Sequence, residues 1–251
     1  MKTYSTRLSG AVVFAAVILT NGLFAATAAN LGSFGGIEEP AQVYHFSTKK
    51  FTSDSFKNIT DEGGGTFRMF LRYNHSQWDG DRTTGSTDRQ RAEVKVLGPR
   101  QKNGETFEYT STWHTDPGFK AGGHFCHVTQ VKGYGAGDIA SPLVTTSIQS
   151  NTSAAVRYVS GTSGFQTARS FGFAAGAWRT VKIRLKVSTA NSGELRASVN
   201  GDALQGKTGV KMFRPGAPEY QPKWGLYRGV DANQPFGDDY VEHRAVSANK
   251  L

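Results

Sequence analysis

Cysteine is nearly missing from this 251-residue chain: Cys126 stands alone, so no intramolecular disulfide can form. Stability must come from packing instead. Long apolar runs are scarce as well. The one pronounced run, "AVVFAAVILT", falls short of the roughly 20 residues that a bilayer span needs, and no other segment approaches it. No helical apolar period persists, and no repeat, low-complexity block or interdomain linker interrupts the chain. The E-x-D-x-x-E strand that would set paired carboxylates across a glycosidic bond does not occur, which weighs against a glycoside hydrolase. Nucleic-acid binding lacks a Lys/Arg-rich aromatic motif. Acidic residues are the scarcer charge, 20 against 29 Lys and Arg, for a formal net charge of +9.

The apolar run has a context. Lys2 and Arg7 precede it and small residues, "AATAAN", follow, the layout of a secretory signal peptide over residues 1–29, with cleavage after Ala28 or Ala29. Export is therefore expected, and residues 30–251 suit a single domain with a sizeable core. Losing the leader removes Lys2 and Arg7 and no acid, so the remainder stays basic. A basic exported protein suggests an anionic partner: nucleic acid, a membrane surface or an acidic polysaccharide.

Thirty glycines and many short alternating runs indicate an all-β fold. In "WRTVKIRLKVS", Val181, Ile183, Leu185 and Val187 alternate with Lys182, Arg184 and Lys186. "ELRASVNGDAL" repeats the pattern, with Leu195, Ala197 and Val199 inward, and Asn200-Gly201 follows as a hairpin turn tolerant of positive φ. "TFRMFLRYN", "TFEYTSTWH", "HFCHVTQVKG", "PLVTTSIQ", "AAVRYVS" and "KWGLYRGV" are further strands. Many antiparallel strands in one domain predict two stacked sheets, a jelly-roll β-sandwich with a concave groove.

Three strands share an unusual face. In "RQRAEVKVL", Arg89, Arg91, Glu93 and Lys95 lie on one side, with Ala92, Val94 and Val96 on the other. "QVKG" places Gln130 and Lys132 together, and "KWGLYRG" places Lys223, Gly225 and Tyr227 together. Any one of these faces could be merely solvated. Three in concert favour a groove floor, because Gln, Tyr and a glycine gap are poor choices for solubility.

"R-A-E-V-K" at Arg91–Lys95 resembles the R-S-E-L-R strand of jelly-roll alginate lyases. "Q-V-K-G" at Gln130–Gly133 is similar to their Q-I-H strand, and "K-W-G-L-Y-R" at Lys223–Arg228 to their F-K-A-G-V-Y-N strand, in the same order. "RYNHSQWDGDR" followed by "HFCHVTQVKG" resembles more closely the glucuronan lyases, polysaccharide lyase family 20. The similarity runs from about Arg68 through Tyr227. It departs where alginate lyases carry His two residues after Gln, since this chain has Lys132. A catalytic histidine must then come from elsewhere, and His75, inside the family-like segment, is the candidate. His127 lies opposite Gln130 by strand parity and is assigned to the core; the same parity separates it from His124 and argues against a His124-Cys126-His127 metal cluster.

The resemblance implies β-elimination from a β-1,4-linked polyglucuronate, with an anionic polysaccharide as partner and a monomeric, secreted enzyme. A uronate loses its C5 proton and expels the C4 oxygen; Gln130, Arg91 and His75 would stabilise charge on the carboxylate, and Tyr227 would act as base and acid. Lys223, Lys132 and Arg91 could supply the field that lets a phenol serve as base. Arg89, Arg91 and Lys95 would bind substrate carboxylates, with Glu93 orienting its cationic neighbours. Trp113 and Trp78 are either sugar-stacking faces or core aromatics, the commoner fate. Asp238 and Asp239 in "FGDDYVEH" are hard oxygen ligands that would suit a structural calcium ion. The alternatives are an alginate or glycosaminoglycan lyase of this fold and a non-catalytic carbohydrate-binding module.

Overall fold

The computed structural model describes residues 34–39, 42–53, 56–82, 84–96, 100–135, 141–161, 163–230 and 236–251. The leader expected over 1–29 lies outside the described residues. All regular structure among them is strand. In chain order these are β1 (Phe34–Glu38), β2 (Gln42–His45), β3 (Lys50–Ser53), β4 (Ile59–Gly63), β5 (Thr66–Leu71) and β6 (Gln77–Asp79). Next come β7 (Arg89–Val96), β8 (Gln101–Lys102), β9 (Thr106–Thr115), β10 (Cys126–Tyr134), β11 (Val144–Ser150) and β12 (Ser153–Tyr158). The last six are β13 (Gln166–Gly172), β14 (Arg179–Lys186), β15 (Ser188–Val199), β16 (Gln205–Met212), β17 (Glu219–Gly229) and β18 (Asp239–Lys250).

Two antiparallel sheets carry the fold. One is ordered β1-β7-β17-β10-β11-β12-β13, with β8 also paired to β17; the other is ordered β16-β15-β14-β9-β18-β5-β4. Their facing sides make the core. In β9, Phe107, Tyr109 and Trp113 point inward at every second position, and Val181, Ile183 and Leu185 of β14 meet them there. From the opposite sheet come Ala92, Val94, Val128, Val131, Trp224 and Leu226. The architecture is the jelly-roll sandwich that alternation predicted. Asn200 and Gly201 both take positive φ, 53° and 84°, as the hairpin joining β15 to β16 requires.

A three-stranded sheet, β3-β2-β6, packs beside the sandwich. Tyr44 of β2 and Phe46 in the turn after it join Tyr73, Trp78, Val230 and Phe236 in a second apolar cluster. Asp79 anchors this sheet, taking hydrogen bonds from Asn58 Nδ2 (2.8 Å), the Arg72 backbone N (3.0 Å) and Arg72 Nη2 (2.9 Å).

Candidate active site

Strand register alone lines up two rows of side chains across the first sheet. One row runs Arg91, Tyr227, His127, Ser147 through β7, β17, β10 and β11. The other runs Lys95, Lys223, Gln130, Thr145, Arg157 and reaches β12. Both rows lie on the side opposite the core residues of those strands, where the alternation of β7 and β17 placed Arg91, Lys95, Lys223 and Tyr227.

The strand parity of β10 behaves otherwise than expected. Its register slips against both β11 and β17 between His127 and Thr129, a bulge that changes which way side chains point beyond it. Cys126 and Val128 are core residues on one side of the slip and Val131 is one on the other. His127 and Gln130 thus share the outer face, and assigning His127 to the core was incorrect. Its ring lies 6.2 Å from that of Tyr227 and 5.1 Å from Phe125, centroid to centroid. Its Nδ1 and Ser147 Oγ are 2.8 Å apart. Burial, with Arg157 and Arg91 nearby, pushes its pKa down to about 3, so the imidazole is neutral at ordinary pH. His75 sits instead in an exposed bend between β5 and β6, where Asn74 Oδ1 accepts the backbone N–H groups of Ser76 and Gln77. Among the described contacts none joins His75 to Tyr227, Gln130 or Arg91. His127 is the histidine that the fold sets against the phenol.

Gly225 explains how β17 comes so close to β7. Its φ is 155°, and a Cβ there would stand 2.1 Å from the Ala92 carbonyl oxygen and 2.6 Å from Glu93 Cα. The glycine gap therefore serves a backbone approach. Beneath it His243 Nε2 donates to the Gly225 carbonyl at 3.3 Å, leaving Nδ1 to accept from Ser111 Oγ at 2.7 Å. Burial holds the His243 pKa down to about 3, so the ring is neutral and these donor and acceptor roles follow.

Much of the cationic floor is already neutralised by the protein. Arg91 is only 3% exposed. It donates through Nη1 to Glu38 Oε2 at 2.8 Å and through Nη2 to Asp81 Oδ2 at 3.0 Å, and its Nε lies 3.7 Å from Glu93 Oε2. The guanidinium plane covers the Tyr227 ring, 4.1 Å from its centroid. Arg91 is thus a clamp on the phenol ring, with Nη1 and Nη2 both committed to protein carboxylates. Glu38 also accepts from fully buried Lys223 at 2.9 Å and pairs with Lys95 at 2.5 Å. Burial works to raise the Glu38 pKa, but Lys223, Lys95 and Arg91 prevail and bring it to about 2. Glu93, wholly buried, accepts a short hydrogen bond from Gln130 Nε2. Burial pushes its carboxyl up, against the pull of Arg91 and Lys223. Glu93 therefore aims the Gln130 amide as well as facing cations.

The Tyr227 hydroxyl meets Arg89. Its Nη1 lies 3.2 Å from the Tyr227 hydroxyl, while Nε and Nη2 bind Asp88 at 2.7 and 2.9 Å. Half-buried Arg89 is thereby held with one donor on the phenol oxygen. Lys132 is buried two positions beyond the Lys223–Gln130 pairing, in register with Gln221. The arrangement puts a phenol, a neutral imidazole and an amide on one face, with a guanidinium beside the phenol oxygen; groups of these types can serve acid–base chemistry.

Trp113, Trp78 and Asp239 have other neighbours. Trp113 is fully buried, stacked on Phe173 at 6.3 Å within the core, and so presents no face to a sugar; Trp78 is equally buried in the second cluster. Asp239 is spent on Arg228, whose Nη1 makes a short ion pair with it while Nε donates to Gln90 Oε1 at 2.8 Å. Asp238 Oδ1 accepts the Tyr73 N–H at 2.7 Å. Among the described residues no group of three or more His, Cys, Asp or Glu side chains is placed to hold a metal. Asp239 thus meets Arg228 through Oδ2, the contact that a calcium ion would have to share.

The architecture and this face define a class, the jelly-roll polysaccharide lyases. The chain belongs to the polysaccharide lyase family: the family model described as Polysaccharide lyase matches residues 38–243. Among solved structures it is similar to an endo-β-1,4-glucuronan lyase from the fungus Trichoderma reesei, at 18% identity and a TM-score of 0.60, over 87% of this chain and 96% of that one. A family 7 alginate lyase, A1-II', in complex with product is similar at 13% identity and a TM-score of 0.57, over 90% and 98% of the two chains. Alginate lyase AlyC3 follows at 11% identity and a TM-score of 0.52, over 88% and 97%. At such identities the likeness is one of fold. No curated protein sequence matches the chain.

Proposed function

We propose that the protein is a lyase that cleaves a β-1,4-linked polyglucuronate by β-elimination, acting outside the cell after removal of the leader-like segment at 1–29. The observation that carries the reading is the Tyr227 phenol, 3.2 Å from the Arg89 guanidinium, on a face shared with His127 and Gln130. Tyr227 takes the C5 proton of a uronate. The electrons of that bond form the C4–C5 double bond, the C4–O bond breaks, and the proton passes to the leaving oxygen. In glucuronate the C5 proton and the C4 oxygen lie on one side of the ring, so a single phenol can serve both steps. Gln130 and His127 are the neutral donors available to the substrate carboxylate as charge develops on it; Arg89 supports the phenol oxygen through the transfer. The fold shared with a glucuronan lyase supports the choice of polymer. Alginate is the rival substrate, supported by the fold shared with alginate lyases.

The test is a panel of glucuronan, alginate, heparin and hyaluronan, followed by ultraviolet absorbance of the unsaturated product. Absorbance rising fastest with glucuronan is the expected result. A faster rise with alginate would change the polymer and keep the reaction. Silence with every polyuronate would leave only a carbohydrate-binding module.

A further inference from the structure

Arg157 stands apart from the other cations of this face. Arg91, Lys95 and Lys223 face Glu38, and Arg89 faces Asp88. Among the described residues no carboxylate forms an ion pair with Arg157, and its Nε is buried without a hydrogen-bond partner. Its Nε donor is unused in a protein that neutralises most of its other cations nearby, and an unmade hydrogen bond at a buried atom is costly.

Its location gives that vacancy a direction. Arg157 continues the row Lys223, Gln130, Thr145, two strands beyond Gln130. Adjacent strands lie about 4.8 Å apart, which puts it roughly 10 Å along the face. A pyranose unit in an extended β-1,4 chain spans about half that distance, so the spacing suits a uronate near the one being cleaved. The guanidinium carbon lies 5.2 Å from the centre of the Phe165 ring, and Phe165 lies 6.2 Å from the His127 ring. Phe165 is partly exposed. Together the two stack a guanidinium over an aromatic ring, a charged fork with an apolar edge that complements a sugar ring carrying a carboxylate.

We propose that Arg157 and Phe165 form a subsite for a second uronate of the same chain, with Arg157 binding its carboxylate and Phe165 contacting its ring. The inference rests on the reading of the protein as a polyuronate lyase and adds how far along the sheet the substrate extends. It makes Arg157 a determinant of chain length and of charge at a position away from the broken bond.

The experiment measures the dependence of kcat/KM on oligomer length, with glucuronan oligosaccharides of two to six units and the intact polymer. Wild type, Arg157→Gln and Arg157→Lys are compared after thermal denaturation shows that each folds. A charge-assisted hydrogen bond contributes about 1.5–3 kcal/mol, so Arg157→Gln should raise KM for the longer substrates roughly tenfold to a hundredfold. The shortest cleavable oligomer should be almost unaffected, and Arg157→Lys should recover part of the loss. Equal length profiles for wild type and Arg157→Gln, on a substrate that wild type does cleave, would overturn the subsite and leave the lyase reading intact. Failure of wild type to cleave any polyuronate would overturn the lyase reading itself, and the subsite with it.

Discussion

Glu38 offers the sharpest test of how the charged floor is held together. It accepts from buried Arg91 and Lys223 and pairs with Lys95 at the margin. Glu38→Gln keeps the volume and removes the charge, so that Lys223, fully buried, faces an amide where it faced a carboxylate. Breaking a buried ion pair from one side costs about 3–5 kcal/mol. For a chain of this size each kcal/mol lowers Tm by about 2–4 °C, so the expected drop is about 6–20 °C. Lys95→Gln is the control. Its side chain is 27% exposed, and loss of such a marginal pair costs about 0–1 kcal/mol. Acid modulates the result. The folded pKa of Glu38 is about 2, below the ordinary 4.5, so its contribution is complete above about pH 4.5 and disappears as pH falls towards 2. The gap between wild type and Glu38→Gln should therefore be widest near neutrality and narrow in acid. Thermal denaturation followed by circular dichroism between pH 3 and 8 measures both. Equal losses for Glu38→Gln and Lys95→Gln, at every pH, would refute the network as a stabilising unit.

Other consequences follow from the same geometry. His127 and His243 are buried neutral, each with a folded pKa of about 3 against an ordinary 6.5; the unfolded chain binds more protons between those values, so Tm should fall as pH drops from about 6.5 towards 3. A flat Tm across that window would contradict their burial as neutral rings. His127→Ala should reduce kcat by about 10²-fold, whereas His75→Ala, in an exposed bend, should leave kcat within about twofold. The reverse order would restore His75 to the site. Because Arg228 occupies Asp239, a chelator should leave Tm unchanged, and a chelator-dependent loss restored by calcium would refute that assignment.

Local patterns made the sandwich legible. The strict alternation in β9 and β14 and the Asn200-Gly201 turn are period-two and turn signals contained within a few residues, and the structure reproduces them. The faces of β7 and β17 were legible for the same reason. What the sequence hid is what depends on distant pieces or on backbone irregularity. A bulge has no residue signature in "CHVTQ", yet it moves His127 from the core to the side of Tyr227. Glu38 and Asp81 come from segments outside the three matched strands, so the row of cations in "RQRAEVKVL" looked free although Arg91 is committed to both. Nothing in "AAVRYVS" marks Arg157, because the segment is an ordinary strand until register aligns it with Gln130. Trp113 falls on the inward positions of a strand that reads as core, and core is where it lies.

The central claim is that the phenol of Tyr227 carries the proton, and the single most direct measurement is the kinetics of Tyr227→Phe on the polyuronate that wild type cleaves fastest. The substitution removes one oxygen and keeps the ring beneath Arg91. General acid–base catalysis contributes about 10²–10⁴-fold, so kcat should fall by at least that order while KM changes little, because Gln130, His127 and Arg89 remain in place. Near wild-type turnover by Tyr227→Phe would contradict the account, leaving Tyr227 as a wall of the site and the proton with another group.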